Sequence, residues 1–143
     1  MSIIAVIRLA LRRLFRRKPS LYFYPDGVEC PPQHRRQIEQ AFWTAATALS
    51  PEFGHAHRIR RVRTIPGTVL RPRGWAVPLK ASPTGYAGGW TDDFRREIVA
   101  VANPQTGELL DSTLVHEWGE AILFAAGVES MEMRHKILGT AKI

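Results

Sequence analysis

A chain of 143 residues that is 45% hydrophobic and 23% charged can bury one sizeable core, and its composition excludes wholesale disorder. The formal charge of +7 resembles that of a nucleic-acid binder. However, residues 1–20 hold six basic residues and no acid, while the remainder carries 14 basic and 13 acidic residues. With Cys30 as the sole cysteine, an intrachain disulfide and a cysteine-rich zinc site are excluded, and no disulfide-linked partner is expected.

The first segment, MSIIAVIRLALRRLFRRKPS, sets Ile3, Ile4, Ile7, Leu11, Leu14 and Phe15 on one helical face and crowds arginines on the other. Residues 1–18 are therefore expected to form a basic amphipathic helix. Three uses stay open for residues 3–18: contact with an anionic membrane, contact with nucleic acid, or packing of the apolar face on the domain. The segment lacks the charge-then-apolar order of a cleavable signal peptide and is too short in its uncharged part to span a bilayer. A cytoplasmic protein, peripheral to the membrane if that helix binds lipid, is expected.

Residues 20–143 read as a single domain. LYFYPDGVECPP predicts a short aromatic strand and a Pro-Asp-Gly turn, and a helix follows from about Gln33 to Leu49, ended by Ser50, Pro51 and Gly54. HRIRRVRTIPG reads as a half-exposed strand, with Arg58, Arg60, Arg61, Arg63, Arg71 and Arg73 making a basic middle segment. Gly67 to Trp90 predicts strands with irregular connections, with Trp75 and Trp90 in the core, and REIVAVA is the clearest strand of all. Asp111 or Ser112 should cap a helix that ends at Gly127, and a last helix spans about Ser130 to Leu138. The order predicts an α+β fold: a small twisted sheet with antiparallel edges and helices packed on one side.

The chemistry concentrates in STLVHEWGEAI. Residues four apart on a helix share a face with Cβ atoms roughly 5–6 Å apart, so His116 and Glu120 can converge on one point. His135, returned by the turn at Gly127 and Val128, would complete a two-histidine, one-carboxylate set of the kind that holds catalytic zinc with one position left for water. Glu117 lies about 100° further round the helix and is free to act as general base. The bland alternative is an ordinary i, i+4 pair with Glu117 and His135 in solvent. Against it, the polar residues interrupt an apolar helix in which unpaired charges would be costly to bury.

TLVHEWGEAI resembles the active-site helix of the zincin metallopeptidases, whose usual signature is His-Glu-x-x-His. GGWTDDFRREIVAV, STLVHEWGEAI and MRHKI together are similar to a group of small phage and prophage zincin-like proteins with a His-Glu-x-x-Glu helix and a later His-x-x-Ile. The resemblance covers Gly88 to Leu138. It implies a minimal zincin-like domain that binds one catalytic Zn2+ through His116, Glu120 and His135, uses Glu117 as general base, and hydrolyses a peptide or protein substrate. It also implies that the strand around Arg96 to Val101, or the TGYAGG segment before it, lies beside the substrate as an edge strand. The carboxylate in place of a second helix histidine makes the metal less electrophilic and its water less acidic. A catalytically inactive binding module, engaging nucleic acid or anionic membrane through the basic segments, is the alternative.

Other residues carry less. His55 and His57 could share one side of a strand and hold a metal, though no third ligand is evident. His34 is expected in solvent. Cys30 has no visible base, and Tyr86 is either a transition-state contact near the metal or a packed strand aromatic.

Overall fold

The computed structural model describes residue 3, the backbone of residues 22–23, and residues 27–143. Apart from Ile3, the predicted amphipathic helix over 1–18 lies outside them. In chain order the elements are β1 (Tyr22–Phe23), β2 (Glu29–Cys30), a 3-10 turn (Pro32–His34), α1 (Arg35–Phe53), β3 (Arg61–Pro66), β4 (Val69–Arg71), β5 (Gly74–Pro78), β6 (Tyr86–Ala87), β7 (Gly89–Asp92), β8 (Glu97–Ala102), α2 (Asp111–Ala125) and α3 (Met131–Ala141). No helix among the described residues is long and apolar enough to cross a membrane.

The fold is α+β. A five-stranded mixed sheet runs in the order β1-β2-β3-β8-β7, with β2/β3 and β3/β8 parallel and both edge pairs antiparallel. A second, three-stranded antiparallel sheet has the order β4-β5-β6. β8 is buried at all six positions, as a β-branched strand covered on both faces should be. Ile98, Ala100 and Ala102 join Phe42, Ala45, Leu114, Trp118 and Ile122 in the main core, so α1 and α2 cover that face. The opposite face is covered near Val101 by β5: a Cβ on Gly67 would stand 2.7 Å from Trp75 Cβ and 3.1 Å from Val101 Cγ1. Trp75 and Trp90, expected in the core, are half-buried there.

Several boundaries differ from expectation for local reasons. α1 runs through Pro51 to Phe53, because burying Phe53 against the core outweighs the one helical hydrogen bond that a proline nitrogen cannot donate; Gly54, at φ +73°, then ends the helix. The predicted strand over His57 to Gly67 begins only at Arg61, and Ile59 reaches the core from irregular chain. Neither Asp111 nor Ser112 caps α2. Leu110 holds the cap position, and the Gln37 amide donates to Leu109 O and Asp111 Oδ1, both at 2.8 Å, tying the helix start to α1.

Gly127 ends α2 as expected, at φ +96°. Its N–H donates to Phe124 O and that of Val128 to Leu123 O, at 3.0 and 2.9 Å, which is the paired-bond pattern of a left-handed helix terminus. The reversal, followed by the Ser130 cap on Met133 N–H, returns α3 alongside α2. Gly119 sets their distance: a Cβ there would stand 2.5 Å from Leu138 Cδ2.

Candidate metal centre

α2 and α3 bring His116, Glu120 and His135 together. Each offers one donor atom, and the three atoms lie within 4.8 Å of one another; among the described residues this is the sole cluster of three or more histidine, cysteine or acidic side chains able to hold a metal ion. His135 Nε2 stands 3.0 Å from Glu120 Oε1 and His116 Nε2 stands 3.9 Å from it. Two ligands about 2.0–2.1 Å from a tetrahedral ion sit about 3.3–3.4 Å apart, a value between those two distances. Glu120 forms the floor, with its side chain 7% exposed, and the imidazoles form a more open rim, at 36% and 51%.

The donor set fits a cation on a specific observation. Glu120 Oε1 is buried without a hydrogen-bond partner, because the approach of His135 Nε2 is not that of a hydrogen bond. Such an atom is expensive to leave unmatched. Burial pushes the His116 imidazole below its ordinary range, with the neighbouring His135 and Arg73 adding to the shift and Glu120 and an Ile143 backbone contact opposing it. The result favours the neutral form, which is the one that ligates.

The other oxygen of Glu120 is already committed. Arg134 Nε lies 3.2 Å from Oε2, and the Arg134 side chain is 6% exposed. Its NH1 donates to Val128 O at 2.9 Å and Glu129 O at 2.8 Å, the carbonyls of the α2–α3 reversal, and the guanidinium stands over the Phe124 ring at 5.6 Å. Sequence reasoning missed this residue although it adjoins His135 in MRHKI. A cation beside a predicted ligand, on a helix returning towards a carboxylate, was the available signal.

Glu117 is buried on the flank of α2 that faces β7. Thr91 Oγ1 lies 2.9 Å from Glu117 O and 3.2 Å from Glu117 Oε1, and a Cβ on Gly89 would clash with Thr113 and approach Glu117 Cγ to 3.5 Å. Burial pushes the Glu117 carboxyl up to about 8 and the charge of Glu120 adds to it, against the hydrogen bond from Thr91. Asp93, where β7 ends, is also raised, by burial first, and feels both Arg134 and Glu120. The end of β7 is thus within electrostatic reach of the cluster.

The strand around Arg96 to Val101 is not an edge. β8 is hydrogen-bonded on both sides, and β7, which takes in only the last glycine of TGYAGG, is the edge. The bond from Val101 N–H to Gly88 O makes that a hydrogen-bonded pair, so by antiparallel alternation Trp90 bonds β8 while the backbone groups of Gly89 and Thr91 point away from it.

Tyr86 stands in β6, paired with Pro78, and its ring lies under the Arg71 guanidinium at 4.5 Å. His55 and His57 do not sit on a strand. The His57 ring packs 5.3 Å from Phe42 and 5.0 Å from Trp118, and its Nδ1 accepts from Ile59 N–H, whereas the His55 ring lies beside Trp43. His34, expected in solvent, is buried at the start of α1. Burial raises the Cys30 thiol, leaving it a poor nucleophile. Compared with known proteins, the chain matches no family model, no curated protein and no solved structure.

Proposed function

We propose that the chain is a zinc-dependent peptidase of minimal zincin-like build, with the metal on His116, Glu120 and His135 and Glu117 as general base. The observation that carries the proposal is the orphaned, buried Glu120 Oε1 beside two imidazole nitrogens. The helix resemblance chooses the reaction class. A zinc ion held by His116, Glu120 and His135 would supply Lewis acidity to polarise a carbonyl and activate water.

The protein's own groups do the remainder. Glu117 Oε accepts the proton of the attacking water and returns it to the leaving amine, while Thr91 orients the carboxyl. Positive charge at the cluster would draw that carboxyl, which already feels Glu120, below the value that burial imposes. The backbone groups of Gly89 and Thr91 that point away from β8 would offer an extended peptide a strand to pair with, on the edge next to Glu117. Part of the basic middle segment already makes contacts within the protein. Arg61 and Arg63 pair with Glu97, Arg71 covers Tyr86, and Arg58 stands over Phe124.

Glu117→Gln tests the assignment. It should keep the metal and lower peptide hydrolysis by about 10²–10⁴-fold, measured on metal-loaded protein with a peptide library. Unchanged turnover at equal metal content would remove Glu117 from the reaction.

A further inference from the structure

A carboxylate differs from the imidazole it replaces in two respects. It carries a charge that weakens the Lewis acidity of a bound ion, and it has two oxygens, both able to ligate. Bidentate attachment would add a fifth donor atom beside the water of a catalytic site and take the ion out of four-coordination. The structure answers both at Glu120. Arg134 occupies Oε2 at 3.2 Å from inside the protein, leaving Oε1 alone facing His116 and His135. The guanidinium cannot follow the carboxylate if it turns, because its NH1 is held by Val128 O and Glu129 O.

We propose that Arg134 is a positioning residue that makes the Glu120–Arg134 pair act as a single, one-toothed, near-neutral ligand in place of a histidine. The assignment rests on the metal reading above and adds to it a coordination number of four, water included. It also explains why a cation is buried one residue from a cationic site, where it would otherwise oppose the ion. Its charge is spent on Oε2, and its forked donors have the planar geometry that a carboxylate and two carbonyls demand.

Cobalt(II) substitution reads the coordination directly, since the visible absorption of cobalt weakens from four- to five-coordinate and again to six-coordinate geometry. Wild-type protein loaded with cobalt should show the intense band. Arg134→Met, which keeps the volume and removes the donors, should lose it as Glu120 swings to bind through both oxygens. In a Glu120→His background the same Arg134→Met change should leave the band intact, because there is no second oxygen to release.

A wild-type spectrum of the weak kind, an unchanged band in loaded Arg134→Met, or equal loss in both backgrounds would each overturn the assignment while leaving a metal site in place. If wild type takes up no cobalt, the metal reading falls and this assignment with it. Should Arg134→Met fail to fold, Arg134→Lys carries the test. It keeps a cation on Oε2 and should retain the intense band, and loss of the band would place the residue's role in the turn alone.

Discussion

Glu117 shows at the scale of one residue how function and stability pull apart. Its carboxyl is pushed from 4.5 to about 8 by burial and by Glu120, so metal-free folded protein holds a proton there that the unfolded chain has released. Stability from this group is present below pH 4.5 and is lost as pH rises through about 8, because the folded state binds more protons in that window. Metal-free Glu117→Gln should therefore be more stable than metal-free wild type at pH 8–9, on the order of 2–5 kcal/mol, and no more stable near pH 4. Urea midpoints at the two pH values measure it, and equal midpoints at high pH would contradict the burial argument. The grouping of His116, Glu120 and His135 was legible in the sequence, the first two from helical spacing and the third from the turn at Gly127. Arg134 and Thr91 were not, because their roles exist only once α3 folds back on α2 and β7 lies along it.

Among elements, the packing of α2 against α3 decides whether His135 reaches His116 and Glu120. Gly119→Ala gains up to about 1 kcal/mol of helix propensity. It also drives a methyl to within 2.5 Å of Leu138 Cδ2, and Leu138 is itself buried. Overpacking costs about 1–3 kcal/mol, so the clash wins and α3 must move. The variant should lose about 1–2 kcal/mol and bind metal more weakly, whereas a neutral effect on both would mean that α3 is not held at this point.

The β3–β8 pair carries a second constraint. Glu97 is 2% exposed, and although burial raises its pKa, hydrogen bonds and charge from Arg61 and Arg63 outweigh this and hold it below 4.5. Its contribution is present above pH 4.5 and lost as pH falls through the folded value, so Glu97→Gln should flatten the acid limb of the urea midpoint profile. An unaltered acid limb would show that the two half-exposed arginines do not hold it. α1 was readable from periodicity, and β8 from its β-branched run. The identity of the edge strand was not, since pairing order depends on contacts far apart in sequence.

At the scale of the molecule, the α+β class followed from the order of elements, because a run of short strands between helices leaves few ways to cover a sheet. The continuation of α1 through Pro51 and the irregular chain before Arg61 were hidden, since both are decided by what Phe53 and Ile59 bury. The charge asymmetry was visible at once, but the contacts of the basic residues in the body were not: Arg61 and Arg63 pair with the buried Glu97, while Arg58 and Arg71 lie over Phe124 and Tyr86. The cluster able to take a metal lies in residues 92–143, which carry nine acidic and five basic residues. Elemental analysis of untagged protein decides whether this cluster is a metal centre. About one zinc per chain is expected in the wild type, lost in both His116→Ala and His135→Ala. A wild type that holds no metal after zinc is supplied, or variants that retain it, would rule the metal centre out.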